Sequence, residues 1–298
     1  MAVIKTDNLK KHFGATKALD GVTLSVEQGD VYGFIGPNGA GKTTAIRILL
    51  GILRKTSGNV SLLGKDPFAD AVEIHKRIVY VPGDVSLWPN LTGGEIIDLL
   101  GRLHGGIHEG RRKDLLERFQ LDPSKKSRAY SKGNRQKVAL VAAFACEAEL
   151  YLLDEPTSGL DPLMEQTFQA CVRELTKQGK TVFLSSHILS EVESLCNKMA
   201  VIRQGIIVDC GTLADMRHLT LTSIAVKTDK PMHNLAISGI HDMRQEGGEW
   251  RFMADGNVVG QVMEALVPFG IQSITVSPPS LEDLFMRHYE MSGGKGGA

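Results

Sequence analysis

Gly36-Pro-Asn-Gly-Ala-Gly41-Lys42-Thr43 lies between the apolar run Val31–Ile35 and the helical stretch Lys42–Leu50, and it constrains this chain more than any other segment. It fits G-x-x-x-x-G-K-[ST], in which glycines let backbone N–H groups curl around a phosphate while the following helix turns its positive end toward it. Lys42 is placed to reach β- and γ-phosphate oxygens, and the Thr43 hydroxyl to ligate Mg²⁺. Gly36, Gly39 and Gly41 give G-x-x-G-x-G, so the G-x-G-x-x-G dinucleotide fingerprint is not met. The loop predicts a nucleoside-triphosphate site.

The pattern around it predicts a parallel α/β sheet. Short strands are expected at Ala2–Leu9, Val22–Val26 and Asn59–Leu63, and Leu91 to Ala148 reads as mostly helical. Strands return at Leu150–Leu153, Thr181–Ser185 and Lys198–Arg203, with helical stretches Leu163–Gln178 and Ile188–Cys196 between them. That alternation argues for parallel strands with helices on both faces. Past Leu219 the character changes. Ser223–Thr228 alternates, His241–Gln245 and Glu249–Ala254 flank a Glu246-Gly247-Gly248 hairpin signal, and Val258–Val267 has helical spacing. Ile271–Val276 reads as a strand and Ser280–Tyr289 as a last helix, with Ser280 and Asp283 as a capping box. The expected organisation is a nucleotide-binding domain over 1–218 with a helical subdomain at about 85–148, a small α+β domain over 219–290, and a disordered tail over 291–298.

Composition narrows the class. The 34 Lys+Arg balance 34 Asp+Glu, so no overall field draws the chain to nucleic acid. The longest charge-free apolar run, Val138–Cys146, is far short of the ~20 residues of a bilayer span. The N-terminus lacks the apolar stretch of a signal peptide, and the four cysteines form no C-x-x-C pair. Reduced thiols and a cytoplasmic location are expected.

Leu150-Tyr-Leu-Leu-Asp154-Glu155 is an apolar strand ending in two acids. Ligands of a parallel sheet sit beyond the carboxyl ends of its strands, so both acids are aimed at the phosphate loop. Asp154 suits Mg²⁺. Glu155, expected on the opposite side of the pleat, suits polarising a water for in-line attack on the γ-phosphate. His187 follows the strand Thr181–Ser185, where an imidazole can hydrogen-bond the γ-phosphate and hold that water.

The order of these motifs resembles the ATP-binding subunit of ABC transporters over about residues 2–218. The resemblance implies a P-loop NTPase fold with a mixed sheet and an inserted helical subdomain. It extends the ATP contacts to Pro37, Asn38, Ala40 and Thr44. It makes Tyr130-Ser131-Lys132-Gly133-Asn134 the signature segment, Ser158-Gly159-Leu160-Asp161 the D-loop and His187 the switch histidine, and it gives Phe13 the place that stacks on adenine. Ser131 and Gly133 open a helix expected over Arg135–Cys146, so a hydroxyl, a backbone N–H and a helix dipole point at an anion. In the family that anion is the γ-phosphate of a partner subunit. The resemblance therefore implies a head-to-tail homodimer around two ATP and Mg²⁺, hydrolysis, and a separate membrane permease on whose cytoplasmic face the subunit rests. The S-K-G-N-R-Q segment and Pro279-Ser-Leu-Glu-Asp-Leu-Phe285 look most like ABC-2-type drug and polyketide exporters.

Three positions depart from the family. Gly83 stands where the Q-loop has glutamine and offers no side-chain oxygen, Lys132 replaces a signature glycine, and Asn134 replaces the signature glutamine. Lys132 either adds charge toward the opposing phosphate or is solvated. These departures keep open a nucleotide-gated regulatory module with negligible hydrolysis. An ABC importer ATPase is a further alternative, and a DNA-repair ATPase on the same fold is disfavoured by neutral charge and the lack of heptads.

Overall fold

The chain is described by a computed structural model over residues 2–212, 215, 222–232, 235, 237–255 and 258–277. It divides into two compact units, Met1–Gly211 and Thr212–Ala298.

In the first unit, β1 (Ala2–Phe13) pairs antiparallel with β2 (Thr16–Glu27) and, on its other side, with β4 (Ser57–Leu62). β1 and β2 outrun the expected strands Ala2–Leu9 and Val22–Val26. Their extensions, Lys10–Phe13 and Thr16–Gly21, are, apart from the buried Leu19, mostly polar and at least partly exposed and are interrupted by register shifts, so cross-strand hydrogen bonds hold them without an apolar alternation.

The second sheet has strand order β5-β6-β7-β3-β8-β9, formed by β3 (Val31–Ile35), β5 (Ile78–Val81), β6 (Leu150–Asp154), β7 (Thr181–Ser186), β8 (Lys198–Arg203) and β9 (Ile206–Thr212). Its pairings β5–β6, β6–β7, β7–β3 and β3–β8 are parallel. β3, β6 and β7 are buried along their whole length, as continuous apolar strands in a covered parallel sheet must be. Neither β5 nor β9 is anticipated by the sequence reading. β5 has four residues, and β9 alternates at the sheet's edge with exposed Ile206 and Val208.

Helices α1 (Lys42–Leu49), α6 (Pro162–Lys177) and α7 (Leu189–Leu195) pack on this sheet. Phe34 and Phe183 meet in the core with ring centroids 5.5 Å apart. The short α2 is Ala71–His75. The segment read as helical contains α3 (Gly93–Leu103), α4 (Glu109–Arg118) and α5 (Lys132–Ala145). α3 starts at a full capping box between Thr92 and Glu95. α5 begins at Lys132, three residues ahead of the expected Arg135, because Ser131 rather than a later residue accepts the first free backbone N–H. No helix among the described residues is long and apolar enough to cross a membrane.

The second unit holds an antiparallel sheet in the order β11-β12-β10-β13, from β10 (Thr222–Thr228), β11 (Ile240–Glu246), β12 (Glu249–Ala254) and β13 (Ile271–Ser277). Helix α8 (Val259–Leu266) contributes Val262 and Leu266 to a core with Ile224, Val226 and Phe252. The expected helix Ser280–Tyr289 and the tail 291–298 lie outside the described residues.

Candidate functional site: a nucleotide site at the strand ends

Register sets where the chemistry gathers. Ile35 of β3 lies opposite Ser186 of β7, and Asp154 of β6 lies opposite Ser185. The three strands thus end together, and the loops that leave them face one another. Between β3 and α1 runs the phosphate loop. Gly41 takes φ 112 there, and a Cβ on it would lie 2.5 Å from the Ala18 carbonyl oxygen, so only glycine fits.

Lys42 is 5% exposed, although a lysine ammonium is seldom so enclosed. Its Nζ donates to the Gly36 carbonyl at 2.5 Å and the Pro37 carbonyl at 3.3 Å. It also pairs with Glu155 Oε1 at 3.0 Å. The other oxygen of Glu155, Oε2, is hydrogen-bonded to His187 Nδ1. Lys42, Glu155 and His187 come from three distant segments and form one polar cluster centred on the Glu155 carboxylate. Asn38 and Gly39 are exposed at the loop's tip, while Thr43 and Thr44 are half-buried in the first turn of α1.

Glu155 is not a pleat neighbour of Asp154 facing the opposite way, as expected from the sequence. β6 ends at Asp154, and Glu155 turns into the left-handed region at φ 49. Ser185 fixes that turn. Its hydroxyl donates to Asp154 Oδ1 at 2.5 Å and accepts from the Glu155 N–H at 3.2 Å, while its carbonyl accepts the same N–H at 3.1 Å. Asp154 is 3% exposed, with one oxygen held by a hydroxyl. Ser185 was missed by the sequence reading, and its one signal was a hydroxyl at the carboxyl end of a buried strand.

The segment Tyr130–Asn134 also has definite partners. Ser131 Oγ caps α5 by accepting from the Asn134 N–H at 3.3 Å. No acid lies in the first turn of α5, which leaves its positive end uncompensated. Lys132 Nζ donates to Ser158 Oγ at 2.9 Å, so it is docked on the loop that precedes α6 of its own chain. Gly133 lies at the second turn position, beside the Gly159 carbonyl. Asp161 caps α6, accepting from the Met164 N–H at 3.0 Å with Pro162 at the first helical position. Phe13 ends β1 half exposed, with the Lys11 ammonium 4.7 Å from its ring centroid. Gly83 follows β5 and packs against Asp154 and Glu155.

Residues 19–158 match the ABC transporter family. The bacitracin transport ATP-binding protein BcrA of Bacillus licheniformis is 33% identical, covering 96% of this chain and 96% of its own length. The chain belongs to the family of ABC transporter ATP-binding proteins. The daunorubicin resistance ATP-binding protein DrrA3 of Streptomyces coeruleorubidus is 32% identical over 95% of this chain and 94% of its own. Among solved structures, an ATP-binding subunit of an ABC transporter matches at TM-score 0.68 and 31% identity, covering 73% of this chain and 92% of that one. A dimeric post-hydrolysis cassette bound to ADP and Pi matches at TM-score 0.64 and 25% identity, covering 70% of this chain and 98% of that one. The α/β architecture is therefore that of the ABC ATPase cassette, with exporter-type resistance proteins among its relatives.

Proposed function

We propose that the chain is the ATP-hydrolysing motor of an exporter, working with a separate membrane permease of ABC-2 type. The observation that carries hydrolysis is the cluster of Lys42, Glu155 and His187. A phosphate-loop lysine and an imidazole that both reach one carboxylate are the groups that in-line attack on a γ-phosphate requires. The Lys42–Glu155 pair neutralises both charges inside the fold. Incoming phosphate oxygens replace the carboxylate at Nζ, and Glu155 is then free to take the proton of the attacking water. His187, held at Glu155 Oε2, keeps that carboxylate aimed and contacts the γ-phosphate.

Thr43 and Asp154 would hold Mg²⁺. Both offer hard oxygen donors, and the Ser185 hydroxyl fixes the plane of the Asp154 carboxylate, which suits an ion that demands regular oxygen geometry. Bound there, the ion neutralises charge on the phosphates. Ser131 and the N–H groups of Gly133 and Asn134 act on the ATP of a second subunit, so the active form is a head-to-tail homodimer. The support is the uncompensated positive end of α5, capped by a serine. Phe13 stacks on adenine once Lys11 leaves its face.

A permease gives a role to the apolar surface near α3. Trp88 is 51% exposed and Leu103 71%, although Ile96 and Ile97 of the same region are fully buried. Exposed apolar side chains ahead of α3 and at its last residue support a permease contact on this part of the fold.

Phosphate release from Mg-ATP by the full chain tests the reading, with Lys42→Ala as control. The expected result is steady turnover in the wild type and a loss of at least ~100-fold in the variant. Tight ATP binding without turnover would favour a nucleotide-gated regulatory module instead.

A further inference from the structure

Glu191 of α7 is 6% exposed and takes no part in the chemistry described above. Its Oε2 accepts from Ser186 Oγ at 2.7 Å. That same hydroxyl oxygen accepts the Ile188 N–H at 2.9 Å, which pins the backbone on both sides of His187. The Thr157 hydroxyl, from the loop that leaves β6, faces the same carboxyl. The hydrogen bond from Ser186 thus ties this buried side chain to the loop that carries His187, and the nearby Thr157 belongs to the loop that carries Glu155. Thr157 is two residues beyond Glu155, and Ser186 immediately precedes His187.

Glu191 Oε1 is buried with no hydrogen-bond partner. An ionised carboxylate is costly in such a place. Burial, with the like charges of Glu165 on α6 and Glu155 adding to it, pushes the Glu191 carboxyl up to about 7, against the two hydroxyl contacts that lower it. Cys196, further along the same segment, also faces it, and its thiol is itself raised by burial. A carboxyl kept in so unfavourable a setting needs a reason beyond packing.

We propose that Glu191 is a positioning residue of the ATPase: through Ser186 it fixes the backbone on both sides of His187, and so sets that imidazole against Glu155. The inference deepens the hydrolysis reading and rests on it for its kinetic arm alone. Glutamine keeps an oxygen for Ser186 and the same shape, whereas alanine releases the loop after β7.

The test compares Glu191→Gln and Glu191→Ala in the full chain. ATP affinity by nucleotide titration, kcat for ATP, and the side-chain NMR titration of His187 in histidine-labelled protein are measured, with the resonance assigned from a His187→Ala sample. Glu191→Ala should lower kcat more than about tenfold while ATP affinity stays within about threefold. Glu191→Gln should recover most of that rate, because the acceptor for Ser186 is restored. The His187 titration should move in the alanine variant and hold close to wild type in the glutamine variant, whether or not the wild type hydrolyses ATP. An unmoved His187 resonance in Glu191→Ala would overturn the proposal. So would a glutamine variant as slow as the alanine one, or a loss of ATP affinity in proportion to rate, since either reports general damage to the fold. A wild type without turnover would defeat the hydrolysis reading and leave the NMR result to decide this one.

Discussion

A methyl group is enough to disturb the site at Gly83. A Cβ there would lie 3.0 Å from the Asp154 carbonyl oxygen and 3.2 Å from Glu155 Cβ, tighter than ordinary contact. Glu155 has little freedom to retreat, because its N–H is held by Ser185 and its carboxylate by Lys42 and His187. Gly83→Ala should displace Glu155 by a few tenths of an ångström and lower kcat several-fold, on a scale where ~1 Å costs about 10²-fold. ATP affinity should hold, and kcat alongside a nucleotide titration checks both. Glu191 makes a second prediction, about stability. Its carboxyl sits near pH 7 in the fold against an ordinary 4.5, so the folded chain binds that proton more tightly than the unfolded one. Folding stability from this group is therefore lost as pH rises from about 4.5 to about 7, and the penalty is complete above that. Glu191→Gln has no such proton, so its Tm should exceed that of the wild type by a margin that grows through the same window and then levels. The full difference is at most ~3 kcal/mol. A margin independent of pH in thermal melts would show that the carboxyl is ionised throughout.

Elements explain why some of this was legible and some was not. The phosphate loop, the acids ending β6 and the histidine after β7 are patterns within a few consecutive residues, and the structure brings Lys42, Glu155 and His187 into one cluster. Ser185, Thr157 and Glu191 belong to no local pattern. Ser185 meets Asp154 only through the pairing of β6 with β7, which no single stretch of sequence contains. The outer ends of β1 and β2 were illegible for a related reason, since cross-strand bonds rather than apolar side chains hold them. The turn at Glu155 is invisible in the sequence, which predicts continued pleat there, because a left-handed glutamate has no sequence mark. At this scale α5 gives its own prediction. Ser131 caps its helix and is exposed, and the proposed function assigns it to a partner's phosphate rather than to its own loop Gly36–Thr43. Ser131→Arg should leave ATP binding by the monomer unchanged, remove the cap at about 1 kcal/mol, and abolish ATP-driven dimerisation. Equal loss of monomer affinity in a titration would contradict a role in trans.

The whole molecule joins a cassette to a second, α+β unit, in a family whose members include transport and resistance ATP-binding proteins. In the proposed function, ATP is the ligand that closes two copies of the cassette and Glu155 the group that ends the closed state by hydrolysis. Removing the carboxylate's charge while keeping its shape separates these two steps. Size-exclusion chromatography of Glu155→Gln with Mg-ATP, beside phosphate release by the same sample, tests this most directly. The predicted result is a persistent dimer with ATP, a monomer with ADP, and turnover at least ~100-fold below wild type. A Glu155→Gln protein that turns over ATP at the wild-type rate, or remains monomeric with ATP bound, would contradict the account.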